Sequence, residues 1–543
     1  MGPESMSAHY RALRGTVKSG CDHECYSARV TSTGGGFGRR IVRNTIHAAG
    51  GRVAALLLWL FYTPYLLTSL GPERFALWSL FFAITRTLVA FDFGLSLATL
   101  RFVADARARD HARAGGEFAT LAVLAFAALG LGWLAGALLL QQPLLAWMRF
   151  PVELRPEAGF VIVSGAVVFS IMGAATVAMS VSQGLGRFDL ANLAMFAVTV
   201  QHAIGIPVVL SRGWGLRGLV VNVGLGWLLG LVVALWGIRR ADPGFRWASP
   251  RAARPRLREA IAFGGPMQAA VVALTGHQHL DKFLLVPLVS IAAVSSYEIG
   301  YRVSNAALSL VQLLLLAVLP AAAALHARPN PAHLRRLYER GNRYVLAGAV
   351  LLFVPLTVAA DRLLNLWLGP GQGDGALVLR GLSLASALFV MAGMGTSIAR
   401  GLGRTDLEAR FALILFVLHL ALAVALIPKL GLTGAMIAMV ASTFAGVCWF
   451  LWSFAGMLGW SRWTTLVSPH RVPLAAAAAG LVAGTAVDRV WRGDPRLGLV
   501  AVTGASAVAL LAVAAGSGYL RWREMRALIL PAAPGAVSTE GSP

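Results

Sequence analysis

The stretch from Gly276 to Asn305 holds the side chains best suited to chemistry, and it lies between two apolar runs. Its polar members are His277, Gln278, His279, Asp281, Lys282, Glu298, Tyr301, Arg302 and Asn305. Residues four apart share a helix face, which groups His277 with Asp281 and, further on, Glu298 with Arg302. Charged side chains inside a bilayer are costly and usually face a bundle interior or a wet cavity. The stretch therefore predicts two helices that open the second half of a transporter and line its cavity.

Composition places the chain among polytopic membrane proteins. Of 543 residues, 57% are hydrophobic and 13% are charged, whereas soluble proteins carry about a quarter charged residues. The net charge of +23 would suggest nucleic-acid binding in a soluble protein. Here the basic residues lie mainly in short loops between apolar runs, as the positive-inside rule requires. Nucleic acid is therefore excluded as a partner.

Fourteen apolar segments approach or exceed the roughly 20 residues that cross a bilayer as a helix, which predicts an all-α fold. They lie near 43–70, 75–98, 117–140, 158–183, 189–210, 215–238, 259–288, 291–324, 341–360, 376–399, 407–428, 432–457, 472–488 and 498–520. Residues 1–40 and 521–543 are predicted to be cytoplasmic tails, the first of them disordered, and 241–258 a basic cytoplasmic linker.

Basic loops follow the second, sixth and eighth segments, and both tails are basic. All of these fall on one side of the membrane if every segment spans it, so both termini are predicted to be cytoplasmic. The loops are too short for an extramembrane catalytic domain, which argues against an enzyme. Cys21, Cys25 and Cys448 form no paired ligand set, so neither a metal site nor a disulfide framework is predicted.

An internal repeat sets the predicted architecture. The sequence QGLGRFDL at 183–190 returns as RGLGRTDL at 400–407, and GLRG at 215–218 returns as GLTG at 431–434. The offsets are 217 (184 to 401) and 216 (215 to 431). Two matches at nearly one offset predict two six-helix lobes, 41–240 and 259–458, around a central cavity. The helix pair within 472–520 lies outside the repeat.

Several motifs resemble a known family. They are PYLLTSLG at 64–71, FALW at 75–78, DFGLS at 92–96 with Arg101, LDKFLL at 280–285 and SYEIGY at 296–301. Together with the repeat they cover roughly 41–458 and are similar to the multidrug/oligosaccharidyl-lipid/polysaccharide (MOP) exporter superfamily, nearest its O-antigen and exopolysaccharide flippases. The resemblance implies alternating access in the bacterial inner membrane. It also implies an undecaprenyl-diphosphate-linked oligosaccharide as substrate, with other polysaccharide assembly proteins as candidate partners.

A doubly anionic diphosphate needs cationic side chains in a hydrated cavity. We assign Arg86, Lys282 and Arg302 to that task, with Arg52 at the entrance. Gln278 and Asn305 are expected to line the same cavity. The candidates for coupling or gating are Asp92, Asp281, Glu298, His277 and His279. No cofactor is expected, and the coupling ion, a proton or sodium, stays open.

A purely structural interpretation stays equally open, in which Asp281 pairs with Arg302 and Lys282 with Glu298. Asp92 is expected to be a conformational latch or a partner of Arg101, and the histidines satisfied core residues.

Three other functions are weighed. A cation-coupled multidrug extruder predicts an acidic cavity. A lipid II flippase is compatible with fourteen helices and would use the last helix pair as a groove for the prenyl tail. A membrane glycosyltransferase or polymerase would need acidic residues in a large external loop, which this sequence does not have.

Overall fold

A computed structural model describes residues 34–92, 94–109, 112–253, 257–315, 318 and 331–519. The chain divides into Met1–Leu57 and Leu58–Pro543. Of the first unit, only the helical backbone from Gly34 onward is described. That helix begins within the predicted disordered tail, 1–40, whose remainder lies outside the described residues. The predicted tail 521–543 also lies outside them.

The described residues are almost entirely helical and contain no strand, which confirms the all-α prediction. In chain order the helices are α1 Gly34–Val89, α2 Leu95–Ala108, α3 Ala112–Trp147, α4 Arg155–Gly184, α5 Phe188–Ser211, α6 Gly215–Ala241, α7 Pro250–Ala253, α8 Leu257–Leu288, α9 Ile291–Leu313, α10 Pro331–Val358, α11 Ala360–Leu368, α12 Gly373–Met391, α13 Gly393–Gly401, α14 Thr405–Met457, α15 Arg462–Val467, α16 Arg471–Val490 and α17 Pro495–Gly516. A short 3₁₀ turn, Val152–Leu154, precedes α4. Among the described residues, nine helical stretches are long and apolar enough to cross a membrane.

One predicted boundary is wrong, for a local backbone reason. The second span, 75–98, ends early because α1 stops at Val89 and α2 begins after Gly94, whose φ is 66°. The predicted break between the first and second spans is confirmed, because the backbone leaves helical geometry at Gly71 (φ 74°, ψ 166°), and 407–428 is separated from 432–457 in the same way at Gly431 (φ 57°, ψ −133°). The predicted span 376–399 lies within one membrane-length stretch, Gly373–Gly401, which has a short interruption at Ala392.

The repeat is visible in the backbone. Gly186 and Gly403, which are equivalent in the two motifs, have φ of 77° and 74°. Gly215 and Gly431 have φ of 55° and 57°. Because this left-handed region favours glycine, the same turns recur at the same points of both lobes. The architecture of two related lobes is thereby confirmed.

The two ends of the bundle have different cores. We call the end where α2, α4 and α6 finish the basic end, and the opposite one the far end. At the far end a single cluster of buried residues, the far-end cluster, includes Phe75 and Leu219 of the first lobe with Val294, Leu379 and Ala435 of the second.

Towards the basic end, each lobe has its own cluster of buried residues. One contains Val103, Ala178 and Ile238, and the other contains Phe353 and Phe450. Within the described residues, α8 still contacts α2 and α3. The apolar joint between the lobes lies at the far end, so this conformation is closed there.

The last two helices pack against each other and against α10, while α17 also contacts α11. Val354, Ala476 and Leu510 form a small apolar core between them. Arg362 forms an ion pair with Asp488 and thereby ties α16 to α11. The extra pair is therefore attached to the outside of the second lobe.

Candidate functional site

The centre of the candidate site is the carboxylate of Glu298 on α9. Lys282 Nζ lies 2.6 Å from its Oε2 and Arg302 Nε lies 2.7 Å from its Oε1. The three side chains are only 3 to 10% exposed. Arg302 is one helical turn after Glu298, and Lys282 lies near the end of the preceding helix. Ser290 accepts a hydrogen bond from the Ala293 amide and starts α9 at the position that brings the two helices together.

The same cluster joins the two lobes. Ser79 of α1 donates a hydrogen bond of 2.7 Å to Glu298 Oε2. A second bond of 2.9 Å runs from Arg302 Nη1 to the Thr63 hydroxyl, also on α1. Both ends of the Glu298–Arg302 pair are thus bonded to the first lobe.

Aromatic rings cover the cations. Lys282 Nζ lies 4.4 Å from the centroid of the Tyr301 ring, and the Arg302 guanidinium lies 5.1 Å from that of Phe75. Such contacts favour a cation over a ring face, most strongly where water is excluded. The rings and the shared carboxylate together stabilise two charges inside the bilayer region.

Asp281 belongs to a different pair. Its Oδ1 lies 3.1 Å from His419 Nε2 of α14, and neither side chain is exposed. The His277 ring lies 4.8 Å from the His419 ring. The predicted pairing of Lys282 with Glu298 is therefore confirmed, whereas that of Asp281 with Arg302 is wrong. Helical spacing could not exclude the second pairing, because His419 comes from a helix remote in sequence.

A pocket with a cavity volume of about 70 Å³ lies among α8, α9, α12 and α14. Gln278, Tyr301 and Asn305 line it and make no hydrogen bond through their side chains to any residue that the structure describes. His277, Leu308 and Phe389 are also part of its wall. This volume is well below the roughly 300–1,000 Å³ of a small-molecule site, so the pocket is narrow in this conformation. The named polar groups are uncharged amide and phenol groups.

Arg86 on α1 differs from the other predicted phosphate ligands because its side chain is exposed. Within the part of the chain that the structure describes, it forms no ion pair. It is close enough to act electrostatically on Lys282, His279 and Tyr301. Tyr301 lines the pocket and Arg86 does not, so Arg86 is an exposed positive charge near the pocket but outside its wall.

The remaining predicted residues lie apart from this arrangement. His279 is buried, with its ring 6.0 Å from that of Tyr301. Asp92 lies in the turn after α1, where its Oδ1 accepts a 2.7 Å hydrogen bond from the Gly94 amide. The side chain of Arg52 lies outside the described residues.

Two residues of the Glu298 cluster, Thr63 and Ser79, were missed, and the pairing of His419 with Asp281 was not predicted. The hydroxyls carry no sequence signal, because Ser and Thr are common in membrane helices. His419 does carry one, since it lies 217 residues after His202, the offset of the repeat. The two lobes therefore have a histidine at the same repeat position.

Residues 41–326, more than half of the chain, match the family described as polysaccharide biosynthesis protein. The chain belongs to this family. No curated protein matches it significantly.

Similar solved structures show the MOP superfamily fold. An inward-facing multidrug resistance MATE family transporter is 16% identical with a TM-score of 0.65, over 74% of this chain and 94% of that one. The lipid II flippase MurJ in an inward closed conformation is 12% identical with a TM-score of 0.66, over 87% and 97%. An outward-facing multidrug resistance MATE family transporter is 17% identical with a TM-score of 0.57, over 77% of this chain and 95% of that one. This polysaccharide biosynthesis family member thus has the MOP fold.

Proposed function

We propose that this protein is a flippase that moves an undecaprenyl-diphosphate-linked oligosaccharide across the bacterial cytoplasmic membrane by alternating access. The observation that carries the proposal is the excess of positive charge in the region next to the pocket, whose own lining holds no Lys or Arg. Lys282 and Arg302 share one carboxylate, and exposed Arg86 adds a cation with no acid partner among the described residues. A diphosphate would neutralise that excess, and guanidinium groups bind phosphate oxygens bidentately.

The pocket beside these charges suits the sugar end of such a substrate. The side chains of Gln278 and Asn305 each present donors and an acceptor, and Tyr301 adds a hydroxyl and a ring face. Sugar hydroxyls both donate and accept hydrogen bonds, so they suit uncharged partners that offer donors and acceptors. A charge-rich region next to a neutral polar one therefore matches the order of groups in a polyprenyl diphosphate glycan.

The closed far end supports loading from the basic end, which we take to be cytoplasmic, with both termini on that side. After loading, the lobes would rock and part at the far end. The work of transport would come from a proton or sodium gradient or from the membrane potential acting on the anionic head. We expect no catalytic step in this chain.

Thermal stabilisation of the purified protein in detergent tests the substrate class. A ligand that binds the folded state raises its unfolding temperature by mass action. We expect stabilisation by undecaprenyl diphosphate but not by the cationic dye ethidium, and we expect Arg86→Ala to remove most of it. Arg74→Ala is the matched control, because Arg74 lies on the same helix but pairs with Glu157 at the far end. Stabilisation by ethidium alone would instead favour a cation extruder.

A further inference from the structure

Lys282 and Arg302 present a contradiction. They are two cations side by side, in the arrangement that a phosphate group would require, yet they are 3% and 10% exposed. Glu298 already occupies them, one carboxylate oxygen to each cation, at 2.6 and 2.7 Å. A substrate anion therefore cannot reach this pair while Glu298 stays where it is.

The carboxylate that occupies the pair also connects the lobes. Glu298 Oε2 accepts hydrogen bonds from Lys282 Nζ and from the Ser79 hydroxyl, and Arg302 donates to both Glu298 and Thr63. Three of these four bonds meet at the Glu298 carboxylate. Displacement of Glu298 would break the bond to Ser79 and release the guanidinium that donates to Thr63.

The position of the Glu298 cluster connects those bonds to the far end of the bundle. Residues on both sides of Ser79 (Trp78 and Leu80) belong to the far-end cluster that joins the lobes, as does Tyr297 next to Glu298. On its other side, Tyr301 lies both against Lys282 and in the pocket wall. The ion cluster thus lies between the accessible pocket and the closed far end.

We propose that Lys282 and Arg302 form a second oxyanion site that Glu298 masks as an internal substitute for phosphate, and that exchange of Glu298 for substrate unlocks the far end. This inference rests on the proposed function, because it assumes a substrate with a diphosphate. Arg86, whose side chain is exposed, captures the anion first, outside the pocket wall. The captured anion then competes with Glu298 for the paired cations.

The exchange is favoured by charge. The Glu298 carboxylate compensates only one of the two cations. A diphosphate carries more negative charge and offers more acceptor oxygens to the Arg302 guanidinium. Glu298 would then lie next to an anion instead of two cations, and repulsion would move it away from Ser79. With the hydrogen bonds to α1 lost, only apolar contacts of the far-end cluster would hold the lobes together there.

A reporter cysteine measures opening of the far end. Ala76 has no exposed surface and belongs to the far-end cluster. In full-length protein with Cys21, Cys25 and Cys448 replaced by alanine, Ala76→Cys should react slowly with a membrane-impermeant maleimide. We expect undecaprenyl diphosphate to raise the labelling rate several-fold. The double variant Ser79→Ala/Thr63→Val should raise it without ligand, because it removes the two bonds between α1 and α9 and keeps every charge.

Glu298→Gln tests the masking. It keeps the shape of the side chain but removes the competing charge, so inorganic diphosphate should stabilise this variant at a concentration at least tenfold lower than for the unmodified protein. Asp281→Asn is the matched control, since it neutralises a buried carboxylate on α8 that pairs with His419 within the same lobe. Asp281→Asn should change neither the concentration of inorganic diphosphate that stabilises the protein nor the labelling rate of the reporter cysteine.

The inference would be overturned if Ser79→Ala/Thr63→Val left the labelling rate of Ala76→Cys unchanged. It would also be overturned if Glu298→Gln needed the same concentration of inorganic diphosphate for stabilisation as the unmodified protein. If Glu298→Gln does not fold, the labelling result decides alone. Failure of the proposed function would show differently: undecaprenyl diphosphate would then stabilise no form of the protein, including the unmodified one.

Discussion

Asp281 Oδ1 and His419 Nε2 lie 3.1 Å apart, and neither side chain has any exposed surface. A charged group fully inside a protein depends on its partner, and removal of one member of a buried pair typically costs about 3–5 kcal/mol. His277, which lines the pocket, lies against the His419 ring. This pair therefore lies directly behind the part of the pocket wall that His277 forms.

We predict that His419→Leu lowers the free energy of unfolding by about 3–5 kcal/mol, because Asp281 loses its partner. Thermal unfolding in detergent measures the loss. His202→Leu is the control, since His202 holds the same repeat position but its Nε2 has no hydrogen-bond partner among the described residues. Adding Asp281→Asn to His419→Leu should recover much of the stability. Equal losses for both histidine variants would contradict the pairing.

The repeat glycines give a second prediction. Gly186→Ala and Gly403→Ala should each cost about 1–2 kcal/mol, because an alanine Cβ is strained in the left-handed region. The two turns lie in different lobes, so their costs should add. A Cβ at Gly132, inside α3, would meet nothing within 4 Å. Gly132→Ala should therefore be neutral or stabilising in the same unfolding measurement.

The last helix pair can be disturbed without touching the lobes. A Cβ at Gly480 would lie 2.7 Å from Leu510 Cγ, whereas one at Gly504 would meet nothing within 4 Å. If α16 and α17 hold the prenyl tail, Gly480→Leu should weaken stabilisation by undecaprenyl diphosphate and leave that by inorganic diphosphate intact. Gly504→Leu should weaken neither. If Gly480→Leu weakened stabilisation by both undecaprenyl diphosphate and inorganic diphosphate, the substitution would be affecting the lobes themselves.

Charge reversal separates transport from insertion. Lys282→Glu or Arg302→Glu places a second carboxylate against Glu298, so we expect polysaccharide export to stop while membrane insertion stays normal. Asp281→Asn should reduce export less than Lys282→Ala, because Asp281 lies outside the Glu298 cluster. Export in cells and membrane fractionation measure the two properties. Normal export in both reversal variants would refute the phosphate role.

Sequence alone predicted most of the fold, because crossing a bilayer is a local property of apolar length. The repeat added the two-lobe architecture, since equal turns need equal glycines, as Gly186 and Gly403 demonstrate. Local patterns also have a limit. The apolar pattern continued the second span to residue 98, although α1 ends at Val89 and α2 begins only after Gly94.

Several residues of the candidate site could be predicted from the sequence, but the residues that they contact could not. Spacing placed Glu298 beside Arg302, yet Ser79 is 219 residues from Glu298 and His419 is 138 residues from Asp281. Such contacts depend on how helices pack within and between lobes. Exposure is equally a property of packing, which is why Arg86 differs from Lys282 and Arg302 only in the folded chain.

The far-end cluster also bears on the energy supply of the cell. Buried apolar side chains from both lobes fill the far end of the interface between them. If the proposed function is correct, the membrane around this protein holds a large ion gradient, and even a narrow water-filled path would dissipate it. A resting copy of this protein should therefore conduct no measurable current, and the cell could hold many idle copies without loss of its membrane potential.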